Sequence, residues 1–341
     1  MTDTQNLFGW GLTGIGRHAN RFVAPAICRS SKGRLIAVFS RDIERARTFA
    51  ERHGAPSVYN DLDALLRDKR INGVFICSPN FVHKKHVLLA AKAGKHILCE
   101  KPLATNVEDC LEMIEVCSRT GIRLGVGFHL RHNPTHILAK EMIASGAIGE
   151  LLFAEVQYMH ATAGKEEARP EASWRRDPNS TGGGSFMGTG VHAVDLLRFI
   201  SGREITHVSA VADANWDVSG FERIVQVSLL MTDHRVASLC AGGLKYPSNQ
   251  LVLYGTSATL RCSGSIGYTD RGRLELISEK EGIQKDFEKC DVYVKEVDSF
   301  VESVQAGVEP NASGYDGLQV AKVTSGIYES LRSKRLVALN P

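Results

Sequence analysis

The stretch Leu7 to Ala19, L-F-G-W-G-L-T-G-I-G-R-H-A, decides the fold. It is an apolar strand-like run that breaks into glycines and continues as a helix. Two glycine frames compete. Gly9-x-Gly11-x-x-Gly14 matches GxGxxG literally, and Gly14-x-Gly16-x-x-Ala19 matches the GxGxxA variant. A dinucleotide fingerprint needs a complete strand before its first glycine and a helix beginning inside it, so that the first helical N–H groups face a pyrophosphate. The first frame leaves only Leu7 and Phe8 as strand, so the second is chosen. Gly14 then makes the turn, Gly16 admits the pyrophosphate and Ala19 lets the helix approach the strand closely. Ile15, Arg17 and His18 lie in the same loop and first helical turn.

Strand–helix alternation continues outward from this point. Arg34–Phe39 reads as a buried parallel strand, and Asp42 can cap a helix from Ile43 to His53. The residues after such a second strand discriminate between cofactors: a carboxylate suits the ribose hydroxyls of NAD, whereas basic groups accommodate the 2′-phosphate of NADP. Ser40, Arg41 and Arg45 offer one hydroxyl and two guanidiniums, which favours NADP(H) over NAD(H). In the alternative, both arginines are solvated and Asp42 holds the ribose. Gly73–Cys77 forms a strand ending in Ser78-Pro79-Asn80, all three expected to border the cofactor together with His83 in the next helix. Lys95 to Pro102, K-H-I-L-C-E-K-P, is a short strand ending in Glu100, Lys101 and Pro102. In open α/β sheets, ligands bind at such carboxyl ends. A helix from Thr105 to about Arg119 and a strand at Ile122–Phe128 complete a doubly wound parallel sheet.

The pattern changes after His129. A helix opens at Pro134, a long strand covers Leu151–His160, and a polar loop holds Trp174-Arg175-Arg176. Gly182-Gly183-Gly184 leads into a helix that carries His192 and Asp195. Strand-like runs at Val208–Ala212, Ile224–Met231, Val236–Cys240, Gln250–Tyr254, Thr259–Cys262 and Leu274–Ile277 follow without intervening helices, so a largely antiparallel sheet is expected. Helices at about Val292–Ala306 and Gly314–Arg332 close the chain. The expected organisation is α/β: a Rossmann domain over residues 1–128 and an α+β domain for substrate binding and oligomerisation over 129–341.

Composition narrows the function. A formal charge of +3, with 43% apolar and 23% charged residues, gives no electrostatic case for nucleic acid or a membrane surface. The eight cysteines are scattered without a CxxC pair, and the histidines show no recurrent ligand spacing, so neither bridges nor a metal is expected. The N-terminus, M-T-D-T-Q-N, lacks the basic and apolar regions of a signal peptide, and a cytoplasmic location is expected.

With Gly14-Ile15-Gly16, Glu100-Lys101-Pro102, Trp174-Arg175 and the glycine-rich run to His192 and Asp195 in this order, nearly the whole chain resembles the glucose–fructose oxidoreductase and inositol dehydrogenase (Gfo/Idh/MocA) family. His129-Leu130-Arg131 and the Trp-Arg loop are most similar to its 1,5-anhydrofructose reductases and related NADP-dependent sugar reductases. The resemblance implies hydride transfer on a sugar, polyol or derived ketone, with Lys101 and His192 beside the nicotinamide. Lys101 would polarise the substrate oxygen, and His192, with the near-neutral pKa of imidazole, would move the proton. It also implies a homo-oligomer, dimer or tetramer, through the second sheet. Glu100 and Asn80 would border the nicotinamide and its ribose; His129, Arg131, His160, Trp174, Arg175 and Asp195 are candidates for lining the substrate pocket. One departure stands out. The family usually has an aspartate four residues before the histidine, and here that position is Gly188, which leaves room for a bulkier substrate. A non-catalytic sensor of dinucleotide or sugar is the alternative reading. A methyltransferase is disfavoured because it gives Glu-Lys-Pro no purpose.

Overall fold

The protein is described from a computed structural model covering residues 7–161, 174, 177–213, 216, 220–269, 271–279 and 282–339. The chain forms two compact units. One comprises Met1–His129 and Asp291–Leu318, the other Leu130–Cys290 and Gln319–Pro341.

The first unit is built on six parallel strands: β1 (Phe8–Thr13), β2 (Gly33–Phe39), β3 (Ser57–Tyr59), β4 (Gly73–Ile76), β5 (His96–Cys99) and β6 (Leu124–Val126). Their spatial order is β3-β2-β1-β4-β5-β6, the doubly wound arrangement with its switch between β1 and β4. The connecting helices are α1 (Ala24–Arg29), α2 (Ile43–His53), α3 (Leu62–Arg67), α4 (His83–Lys92) and α5 (Val107–Arg119). Burial on both faces explains why β1 and β4 read as unbroken apolar runs. Asp42, Asp61 and Asn106 cap α2, α3 and α5 by accepting first-turn N–H groups, as short polar side chains at these positions do.

The first unit runs continuously through His129, and the chain returns to it later. The helix Val292–Ala306 packs its apolar stripe Val297, Phe300 and Val301 here rather than in the second unit. The Phe300 ring lies 5.5 Å from Trp10 and 6.5 Å from Phe8. A Cβ on Gly125 would come within 2.8 Å of the same ring. A linear division misses this contact because only tertiary packing shows which sheet an amphipathic helix covers. The three-residue β3 was also absent from the sequence reading, being too short to show a period.

The second unit contains α6 (Pro134–Ala144), β7 (Leu151–Ala161), α7 (Pro178–Thr181), α8 (Phe186–Ser201), β8 (Ile205–Ala212), β9 (Ile224–Met231), β10 (Val236–Leu244), β11 (Gln250–Gly255), β12 (Thr259–Ser263), β13 (Gly272–Ile277), β14 (Ile283–Phe287) and β15 (Val337–Ala338). The nine strands pair in the order β14-β13-β12-β11-β7-β10-β9-β8-β15. All neighbours are antiparallel except β7 and β10, which run parallel over Val236–Leu244. In β9, Val225, Val227, Leu229 and Met231 are buried and alternate with Gln226 and Ser228 outside, so one face covers a core and the other is open. Helix α8 lies against β7 and β10 and is buried on nearly all sides, which its continuous apolar sequence allows. With Val292–Ala306 as α9, the last helix, α10 (Gly314–Ser333), starts in the first unit and passes into the second after Leu318. Among the described residues, no helix is long and apolar enough to cross a membrane.

Candidate active site

In the first unit β1 ends at Thr13, just before the Gly14-x-Gly16-x-x-Ala19 frame. Gly9 and Gly11 lie inside β1, and the chain turns at Gly14, whose φ is +80°. A Cβ at Gly14 would sit 2.2 Å from the Ser78 nitrogen, so no other residue fits where β1 and β4 end side by side. A Cβ at Gly16 would meet nothing within 4 Å, which leaves the backbone open to a ligand. Ala19 is buried at the start of the helical stretch Ala19–Val23, and the Arg17 side chain is exposed. The Ser78 hydroxyl is buried and has no hydrogen-bond partner among the described residues. Such a group is costly unless a ligand completes it. Open backbone at Gly16 and this orphaned hydroxyl fit a dinucleotide pyrophosphate and ribose.

At the end of β2, Asp42 directs one carboxylate oxygen to the backbone N–H groups of Glu44 and Arg45, each 3.1 Å away. Its own N–H donates to the Ser40 hydroxyl at 3.2 Å. Asp42 is thus engaged as a helix cap, while the Arg41 and Arg45 side chains are exposed nearby.

The edge after β5 is a buried polar cluster. Glu100, 9% exposed, takes His18 Nε2 on one oxygen at 2.8 Å and the Lys101 backbone N–H on the other at 3.3 Å. Burial alone would raise its pKa. The charges of His18, Lys101 and His129 and the His18 hydrogen bond outweigh that, and the carboxyl is held down at about 2. The Lys101–Pro102 bond is cis. Beneath it, His83 is fully buried between the Pro102 and Ser78 carbonyls; Asn80 opens the intervening turn. Helix α9 completes the cluster. Tyr293 stacks on His129, with centroids 4.7 Å apart, and on Phe22 at 5.0 Å, and it meets His18 edge-on. Glu296, 3% exposed, has no hydrogen-bond partner on either carboxylate oxygen among the described residues; burial and the nearby Glu100 push its pKa well up. Sequence reading passed over Tyr293 and Glu296. The available signal was a carboxylate set into the apolar stripe of α9, between Tyr293 and Val297.

In the second unit, the middle of α8 places His192, 3% exposed, with its ring 5.9 Å from that of Tyr158. Asp195 receives Arg131 in a bidentate pair, Nε–Oδ2 2.9 Å and Nη2–Oδ1 2.6 Å, with both side chains almost fully buried. These two candidates hold each other, so Asp195 anchors α8 to the segment before α6. His160, next to the last residue of β7, is half-buried, and Trp174 is also half-buried; Arg175 lies outside the described residues. Gly188 faces outward, and a Cβ there would meet open space. The start of α8 is fixed from a distance. Glu222, completely buried, accepts from Gly184 N at 3.0 Å, Phe186 N at 2.9 Å and the Tyr328 hydroxyl at 3.0 Å. Lys101 and His192 belong to different units.

Residues 8–128 match the model of the oxidoreductase family with an NAD-binding Rossmann fold, GFO_IDH_MocA, and residues 136–261 match the C-terminal domain of the same family. The chain is 27% identical to 1,5-anhydro-D-fructose reductase of Ensifer adhaerens, over 91% of this chain and 92% of that protein. It is 30% identical to an uncharacterized oxidoreductase of Rhizobium meliloti, over 80% of this chain and 79% of the relative. The crystal structure of aldose-aldose oxidoreductase from Caulobacter crescentus, complexed with glycerol, superposes with a TM-score of 0.88 at 25% identity, covering 98% of this chain and all of that one. A Rossmann unit with an NAD(P) cradle, followed by a sheet of this topology, defines a two-part dehydrogenase. The chain belongs to the Gfo/Idh/MocA family of oxidoreductases, which act on CH–OH groups of sugars.

Proposed function

We propose that this protein is an NADP(H)-dependent oxidoreductase that moves a hydride between nicotinamide C4 and a carbinol or ketone carbon of a sugar, polyol or sugar derivative. The observation that carries the reading is the pairing of an open glycine cradle with an edge at which Glu100 is ionised beside Lys101. The cofactor, when bound, supplies the hydride acceptor or donor. Gly14, Ile15, Gly16, Arg17 and Ser78 would hold its pyrophosphate end, and Pro79, Asn80 and Glu100 its nicotinamide side. The NADP preference is supported by Asp42, whose carboxylate is engaged in capping while Arg41 and Arg45 are exposed. The Lys101 ammonium polarises the substrate oxygen. His192 gives or takes the proton that must accompany hydride transfer at that oxygen. His129, His160 and Trp174 are assigned to sugar contacts, and the missing side chain at Gly188 leaves room for a bulkier substrate. Arg131 and Asp195 act on the substrate indirectly, by fixing α8.

The resemblance to 1,5-anhydro-D-fructose reductase supports a sugar carbonyl as substrate. The open face of the nine-stranded sheet, where Phe153 and Tyr254 stack, supports a homodimer or homotetramer. The test is absorbance of NADPH and NADH during incubation with a panel of aldoses, polyols and anhydro-sugars, in both directions. Turnover that falls about 10²–10⁴-fold in Lys101→Ala is expected; undiminished turnover in that variant overturns the mechanism. The open position at Gly188 also suits a sensor that binds dinucleotide or sugar without turning over. Binding by calorimetry, with no turnover across the panel, would favour that second reading.

A further inference from the structure

The histidine beneath the Lys101 loop has an environment that constrains its proton count. His83 Nδ1 lies 2.9 Å from the Pro102 carbonyl oxygen, and His83 Nε2 lies 2.9 Å from the Ser78 carbonyl oxygen. Both partners are acceptors only, whereas a neutral imidazole has one N–H and one bare lone pair. Either neutral tautomer would set a nitrogen lone pair against a carbonyl oxygen at hydrogen-bond distance, in a site with 0% exposure to bulk solvent. We propose that His83 stands as a buried imidazolium that donates to both carbonyls and so acts as the positioning residue for the Glu100-Lys101-Pro102 loop.

Opposing influences surround this ring. Burial is the largest and on balance lowers its pKa from the ordinary 6.5; the Ser78 and Pro102 carbonyls, the Glu100 carboxylate and the Leu103 backbone act the other way. The contact geometry decides, because it leaves the neutral form one repulsive contact and the charged form none. Of the groups around it, Glu100 supplies the compensating charge. His86, one turn along α4, is itself kept neutral, burial having lowered its pKa to about 4. Lys84 points instead to Asp109 and Glu112 of α5, at 2.7 and 2.5 Å. The cation has a consequence for the loops. With both bonds made, one ring ties the end of β4 to the end of β5; after loss of the proton one tie is released. The link to chemistry rests on Lys101 acting as proposed above, whereas the protonation state does not.

The experiment is 15N NMR of the full-length protein labelled in histidine, with the His83 resonances assigned by comparison with His83→Gln. Both ring nitrogens carrying protons at pH 7 is the expected result; one protonated and one bare nitrogen overturns the proposal. If His83→Gln does not fold, the assignment is made through backbone correlations in the wild-type chain. Amide hydrogen exchange of residues 78–80 and 100–104 supplies the second readout, expressed as protection relative to free peptide. Protection is expected to drop at least about 10-fold as pH is raised through the ring's titration, the loss expected when an orienting bond is released. Protection that ignores that titration overturns the clamp. Absence of turnover with every sugar would sink the enzymatic reading and leave both measurements decisive for His83.

Discussion

At the scale of single residues, two side chains set the character of the edge after β5. Glu100 is ionised in spite of burial, with a pKa near 2 against the ordinary 4.5. A depressed carboxyl contributes stability that is complete above its unfolded pKa and drains away as pH falls through the folded one. Glu100→Gln should therefore be less stable than the wild type at pH 7, by on the order of 3 kcal/mol, and the gap should narrow between pH 4.5 and pH 2. Thermal melts followed by circular dichroism at pH 7, 4 and 3 check this; a gap that does not change with acid would mean His18 and Lys101 are not what holds the charge. Arg41 and Arg45 define the other residue-scale test. Replacing both by Ala should weaken NADPH by at least about 100-fold, since charge-assisted phosphate contacts are each worth about 1.5–3 kcal/mol, and leave NADH nearly unchanged. Equal losses for the two cofactors, read by fluorescence titration, would return the ribose to Asp42.

At the scale of elements, α8 is the part whose placement matters most, because His192 rides on it. Ser185, at its N-cap, makes no side-chain capping bond, and the cap is supplied instead by Glu222 and Tyr328 from elsewhere in the second unit. Tyr328→Phe removes a donor to Glu222 and the hydroxyl 3.2 Å from Gly184 N. A cost of about 1–3 kcal/mol is expected from buried groups left unpaired, seen as a fall of several degrees in melting temperature. Gly183 should tolerate no side chain at all: its φ is +156°, and a Cβ would lie 1.9 Å from the Tyr328 oxygen. Little of this was legible beforehand. Gly182-Gly183-Gly184 marks a turn in any sequence, but Glu222 is 38 residues from Gly184 and Tyr328 is 144, and no local pattern links them.

At the scale of the whole molecule, the first unit depends on a segment that arrives after residue 290. Helix α9 places Phe300 against Phe8 and Trp10, and the Ala312 carbonyl accepts the Val126 N–H at 2.8 Å beside β6. A fragment ending at His129 should consequently fail to fold cooperatively, because it exposes the ring faces that α9 covers and leaves β6 short of partners. Far-ultraviolet circular dichroism and urea titration of that fragment check this; a sharp two-state transition would show the helix to be dispensable.

The strand–helix rhythm, the glycine frame at Gly14, the Glu100-Lys101-Pro102 edge and the switch to an antiparallel sheet were all written locally. Each depends on residues within one or two turns or strands of one another, where period and turn chemistry operate, and on this ground the family too was legible. Tertiary structure alone decided the return of α9 to the first unit, the Arg131–Asp195 pair, the His18–Glu100 pair and the orphaned acid at Glu296. Charge pairing and burial are properties of residues brought together from distant positions, and a charge has no periodicity by which to find its partner. Arg131 and Asp195 could each be picked out as candidates for a sugar pocket; only folding, which buries both, gave each the other as its counter-ion.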